Sequence, residues 1–226
     1  MASMPLKNRH DIKLTLMDWS ITQWELPYEE IFRVNNLITF EQKLAYFETE
    51  IWQDWNEIYC DNTNSLNSVR RYKYGDFVFL YDDTDELVYY NKAKAGEVPE
   101  GRVVAAYGLS KQKIEKRNNY RVQSYLGPTA KVYAHFGNDY DKGHFIADAS
   151  GGLKEINLFP QKRNVNRGWS DTGKVYRTME QYVCCNPGTF AFSRPLYADF
   201  TLRPVALEYG YLTRDGLFRS SIFNNI

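Results

Sequence analysis

The sequence predicts an α+β fold on an antiparallel sheet, and two observations carry that reading. A helical period fills residues 27–60, and strand-like runs separated by turn residues recur from residue 75 onward. In the first segment Ile31, Leu37, Phe40, Leu44, Phe47, Ile51, Trp55 and Ile58 recur mostly at three- and four-residue steps, with acids between them. Pro27-Tyr28-Glu29-Glu30 supplies a helix start and Asp61-Asn62-Thr63-Asn64 a stop. Residues 75–91 read as a β-hairpin, in which Phe77–Tyr81 and Leu87–Tyr90 flank the acidic turn Asp82-Asp83-Thr84-Asp85. A strand follows at 102–107, and strand signals return at 120–126 and 131–136. The basic run Lys111–Arg117 is a short helix or a loop. Phe200, Leu202, Val205, Leu207, Tyr209 and Tyr211 alternate around Pro204 and give one or two closing strands. Gly96, Pro99 and Gly101 mark the best boundary. They divide the chain into an acidic helix-plus-hairpin part, 1–104, and a second part, 105–226, with the two packing as one domain as an open alternative.

Composition excludes several classes. Hydrophobic residues at 43% and charged residues at 25% are those of a globular chain, not a disordered one. The longest apolar runs, Phe77–Tyr81 and Val103–Tyr107, fall far short of the roughly 20 residues of a membrane span. No basic head with an apolar stretch opens the chain. This predicts no Sec signal peptide, and a cytoplasmic location or export by a signal-less route. Cys60, Cys184 and Cys185 cannot make a disulfide framework and show no zinc spacing, so free thiols are expected. The formal charge of zero hides an asymmetry. Residues 1–110 carry 11 Lys/Arg against 18 Asp/Glu, whereas 111–180 carry 13 against 7. The basic stretch suits an anionic partner.

The chemistry concentrates in 141–182. His144 follows Gly143 at the edge of an apolar segment, where an imidazole can be held against open backbone. Asn166 is a neutral oxygen ligand, suited to a hard divalent cation that keeps most of its waters. Glu180 either accepts from those waters or binds the cation itself. Lys142, Lys162, Arg163, Arg167 and Arg177 surround the group with positive charge for phosphate oxygens. His135 and His10 take structural readings.

The segment Asp141-Lys142-Gly143-His144, then Asn157-Leu158-Phe159-Pro160-Gln161 with Asn166-Arg167-Gly168 at the matching interval, then Glu180, resembles the DNA/RNA non-specific endonuclease family of the ββα-metal (His-Me finger) superfamily. Gly143–Ala147 with Gly151-Gly152, and Arg203-Pro204, Tyr209, Asp215-Gly216 and Phe223-Asn224, look most like its bacterial polymorphic-toxin branch. The resemblance covers about residues 115–226. It implies a ββα-metal nuclease core on the antiparallel sheet, with the N-terminal helices and hairpin as an elaboration. It further implies His144 as general base, Asn166 as the direct protein ligand of a single Mg²⁺ (Mn²⁺ as substitute), and Glu180 as the residue fixing the metal's waters. Lys142, Arg163, Arg167 and Arg177 would bind substrate. Asn157 is read as structural.

Two departures stand out. Lys142 replaces the usual Arg, keeping the charge and losing the bidentate fork. Asn166 and Glu180 are 14 residues apart, wider than the family's two helical turns. Ser170–Gly173 looks like an insertion, which places Asn166 on a loop and the helix start near Gly173 or Lys174. No element reads base edges, so the expected activity is Mg²⁺-dependent hydrolysis of DNA and/or RNA phosphodiesters with little sequence preference. The implied role is that of a bacterial toxin or effector with a cognate immunity or inhibitor protein. The competing readings are a nuclease fold that binds nucleic acid without cutting it, and a nucleotide- or sugar-phosphate hydrolase.

Overall fold

The computed structural model describes residues 20–63, 69–83, 101–112, 126, 136–153, 155–198 and 201–226. They contain the strands β1 (Val69–Tyr74), β2 (Phe77–Asp82), β3 (Arg102–Leu109), β4 (Tyr140–His144), β5 (Leu158–Lys162), β6 (Phe190–Leu196), β7 (Ala206–Leu212) and β8 (Phe218–Asn224). Six of these form one antiparallel sheet in the order β1-β2-β3-β6-β7-β8, and β4 and β5 pair as a separate antiparallel hairpin. The fold is α+β.

Strand alternation assigns each residue of the sheet to one of two layers. Phe190, Phe192 and Leu196 of β6 point to the same side as Ala206 and Leu212 of β7, and there they meet the N-terminal helices. Ala191, Leu207, Tyr209 and Phe223 point to the other side and meet the β4–β5 hairpin and the helix after it. The first layer holds α1 (Tyr28–Val34), α2 (Phe40–Tyr46), a π-type turn (Phe47–Ile51) and α3 (Trp52–Thr63). Tyr28, Phe32, Phe47 and Trp55 from these helices share a core with Phe190, Phe192 and Phe218 of the C-terminal strands. Position 104/105, where the sequence divides, lies inside β3.

A single helical period over 27–60 therefore becomes three helices. The chain leaves α1 at Asn35–Asn36, with Asn36 at φ +53°, and restarts where Thr39 caps α2. Gln42 N donates to Thr39 Oγ1 (3.3 Å), and Thr39 N donates back to Gln42 Oε1 (3.0 Å). The apolar spacing runs on through the break, so period alone does not reveal it.

The hairpin also differs from expectation. Phe77–Asp82 turns back at Gly75-Asp76 onto Val69–Tyr74, and its other edge pairs with β3. Both edges of β2 are thus taken, and residues 84–90 lie outside the described residues. Local pattern does not mark the upstream partner, because Val69-Arg70-Arg71-Tyr72-Lys73-Tyr74 is a polar edge strand without apolar alternation. Near the end, the alternation around Pro204 yields one strand, β7, which is flanked by β6 and β8. His10, His135, the basic run after Gln112 and most of the strand signals at 120–136 fall outside the described residues.

Buried polar groups join the helical layer to the sheet. Trp55 Nε1 donates to the Tyr28 hydroxyl (2.9 Å), which donates to Glu208 Oε2 (3.1 Å). Arg194 Nε donates to the same oxygen (2.7 Å), and its Nη2, ion-paired with that oxygen at 2.7 Å, donates to the Trp24 carbonyl. On the opposite layer the hairpin is followed at once by α4 (Arg163–Asn166) and α5 (Asp171–Cys185). This ββα unit is fastened by Asn225. Its side chain accepts from Lys162 N (2.7 Å) and donates to the carbonyls of Pro160 (3.0 Å) and Pro204 (2.8 Å). Its carbonyl accepts from the Tyr140 hydroxyl (2.9 Å).

No helix among the described residues is long and apolar enough to cross a membrane. Cys184 and Cys185 end α5 as free thiols.

Candidate active site

His144 is the last residue of β4, opposite Leu158 of β5, and is half-buried. The backbone after it is held tightly. Phe145 N donates to the Asn157 carbonyl (2.9 Å) and Ile146 N to Asn157 Oδ1 (2.9 Å). Asn157 Nδ2 donates to the carbonyls of Ile146 (2.8 Å) and Leu153 (2.5 Å). The Ser193 hydroxyl donates to the Phe145 carbonyl, and the Phe145 and Phe159 rings stack at 4.5 Å. Asn157 is fully buried, and its amide works as a structural clamp that fixes where the chain goes after His144. Lys142 shares the strand face of His144; burial lowers the pKa of its ammonium.

The other face of β4 presents Asp141 and Gly143. Asp141 is a buried carboxylate that accepts from Arg163 Nε (3.1 Å) and from Arg167 Nε (2.6 Å) and Nη2 (3.1 Å). Asn166 Nδ2 approaches its second oxygen at 3.5 Å. These partners sit at i, i+3 and i+4 on α4, so one turn of helix aims all three at one acid. Burial alone would raise the Asp141 pKa, but hydrogen bonds from Arg167 and Arg163 overcome it and hold the carboxyl below its usual range. Arg163 and Arg167, expected as phosphate ligands, are thus ion-paired within the site. With one carboxylate between two guanidiniums, the group keeps a net positive charge. Asn166 lies on a helical turn, not a loop, and α5 starts at Asp171 because Ser170 caps it, accepting from Gly173 N at 3.0 Å.

Beneath Gly143 lies a third group. Gln161, across from Asp141 in the register, lays its side chain over Gly143; a Cβ there would meet Gln161 Oε1 at 2.2 Å. Only glycine admits that approach. Both polar atoms of the Gln161 amide and the Tyr176 hydroxyl are buried without a hydrogen bond of ordinary geometry among the described residues. Tyr176 and Glu180 stand four residues apart on α5, on the face that carries Val183 into the core. Burial pushes the Glu180 carboxyl up to about 7, against smaller lowering effects of the Tyr176 hydroxyl and Arg177. Glu180 is thus half-buried on the core-facing side of its helix. Arg177 is exposed and its methylenes lie against Gly168.

Among the described residues no three His, Cys, Asp or Glu side chains form a metal-binding group. The donors present fit a hard cation that keeps its waters. The Asn166 amide nitrogen is turned to Asp141, which leaves its oxygen to face elsewhere. Asp141, Gln161 and Tyr176 were not singled out from sequence. Asp141 opens the segment that was, and the acid at the start of a Gly-His strand opposite a basic helical turn was the available signal.

No family model and no curated protein matches the sequence. Among solved structures, the chain is similar to Sda1 nuclease with bound zinc ion, at 17% identity and a TM-score of 0.42, over 66% of this chain and 75% of that one. It is also similar to an extracellular nuclease, at 11% identity and a TM-score of 0.37, over 71% of this chain and 90% of that one. At such identities and scores, function rests on the residues of this chain.

Proposed function

We propose that the protein is a Mg²⁺-dependent endonuclease of the ββα-metal type, cutting DNA and/or RNA phosphodiesters with little sequence preference. The observation that carries this reading is the ββα unit itself, with His144 ending a strand whose continuation Asn157 clamps, and Asn166 on the helical turn directly after the partner strand.

In this mechanism His144 accepts a proton from the attacking water, whose oxygen forms the new bond to phosphorus. The bond from phosphorus to the 3′ oxygen breaks, the leaving oxygen takes a proton from solvent, and a 5′-phosphate and a 3′-hydroxyl result. Asn166 would hold the cation and Glu180 would fix its waters; when bound, Mg²⁺ supplies charge to stabilise the leaving oxygen, and Mn²⁺ can replace it. Lys142 and Arg177, with the positive surplus of Arg163 and Arg167 over Asp141, draw the phosphate backbone in. Residues 105–226 carry this chemistry, and 1–104 support it. A toxin or effector role, with an immunity or inhibitor protein as partner and signal-less export or a cytoplasmic site of action, completes the proposal.

Plasmid degradation with Mg²⁺, its loss in chelator, and its loss in His144→Ala are the expected results. Retention of plasmid on a gel shift without cutting at any Mg²⁺ or Mn²⁺ concentration would instead favour the binding-protein reading.

A further inference from the structure

Among the described tryptophans Trp169 is the most exposed, and Trp52 is partly buried. Trp24 and Trp55 are buried in the helical layer, while Trp169 keeps 64% of its surface exposed, three residues after Asn166. Its backbone is not loose. Gly168, at φ +68°, turns the chain; Gly168 N donates to the Val165 carbonyl (3.1 Å) and Trp169 N to the Asn164 carbonyl (2.8 Å). Ser170 N shares that carbonyl at 3.3 Å before capping α5. The guanidinium of Arg167 lies over the indole, 5.0 Å from the ring centroid, and is itself locked by two hydrogen bonds to Asp141. Arg177 packs on the neighbouring Gly168.

We infer that Trp169 is a stacking platform for one unpaired nucleobase beside the cleaved phosphate. Single-stranded or locally opened nucleic acid is then the preferred substrate. The inference rests on the nuclease reading and adds to it a choice among substrates. An exposed indole flanked by arginines is the combination a single strand needs: cations for its backbone and a π face for its bases, whatever their identity. A duplex keeps its bases stacked on one another and gains little from the ring. The platform is also rigid, so stacking does not cost the ordering of a loop.

Binding in chelator separates stacking from cutting. Fluorescence anisotropy with a short labelled single strand and a hairpin duplex of the same sequence reads the single-strand preference directly. Trp169→Ala should reduce it about tenfold, about 1.4 kcal/mol. Trp169→Phe keeps a π face and should stay within roughly threefold of the parent. An abasic position scanned along the single strand should weaken the parent at one register and leave Trp169→Ala unmoved there, because the two losses remove the same contact. An unchanged preference in Trp169→Ala, or abasic losses that simply add to it, overturns the stacking role while plasmid cutting with Mg²⁺ still stands. A parent that neither cuts plasmid nor binds either oligonucleotide overturns the nuclease reading and this inference with it.

Discussion

The two layers on the six-stranded sheet arrange their buried polar groups differently. On the helical side, Trp55, Tyr28, Glu208 and Arg194 form a connected chain that ends on the Trp24 carbonyl, and one guanidinium nitrogen is left over. On the ββα side, the Gln161 amide, the Tyr176 hydroxyl and the Glu180 carboxyl lie together, their contacts fall short of ordinary hydrogen-bond geometry, and burial pushes the Glu180 carboxyl up to about 7. A buried ion pair closed on itself specifies packing, whereas polar groups left short of partners hold a cost that only some further role offsets. The helical face is joined by an ion pair, and the other face carries the residues of the proposed site.

That contrast can be broken at its strongest point first. His144→Ala should lower plasmid cleavage by about 10²–10⁴-fold and leave the thermal midpoint near that of the parent. A comparable loss of midpoint would mean His144 supports the fold instead. Glu208→Ala on the other face should do the reverse. It strands the Arg194 charge among apolar side chains and should cost about 3–5 kcal/mol in urea unfolding. Glu180→Gln keeps the shape and removes the charge; cleavage at saturating Mg²⁺ should fall about 10–100-fold, as for a residue acting through the cation's waters. Overlaying Mg²⁺ titrations would remove Glu180 from the site.

The smallest effect concerns acid. The Asp141 pKa is lowered on folding, so its stabilising contribution is complete above the ordinary carboxylate value of 3.8 and is lost as pH falls through the lower, folded value. Asp141→Asn should therefore be less stable than the parent at pH 7. The gap in urea midpoint should narrow below pH 3.8. A constant gap across that window would show that the Arg163 and Arg167 pairs do not set it.

Much of this was readable in the sequence where structure is periodic. The alternation of Val205–Tyr211 is β7, and the apolar steps of residues 27–60 fill one helical layer. The orientation of Glu180 follows from its four-residue step from Tyr176, a relation independent of its distance from Asn166. What stayed hidden was short or long-range. Arg163–Asn166 is a single turn, too brief to show a period, and Val69–Tyr74 is an edge strand whose charges mask its pairing. The ion pairs from α4 to Asp141 cross 22 residues or more and depend on a strand register that no local pattern states.

Asn225 ties the β4–β5 hairpin to the sheet, and it follows every strand among the described residues. Synthesis proceeds from the N-terminus, and β3 waits for β6 before its second edge is paired. His144 and Asn166 therefore emerge from the ribosome well before the residue that locks their scaffold in place. Until Asn225 arrives, the carbonyls of Pro160 and Pro204 lack their shared donor and the hairpin has no clasp. The clasp on the site's hairpin is thus supplied by a residue that the chain delivers after both His144 and Asn166.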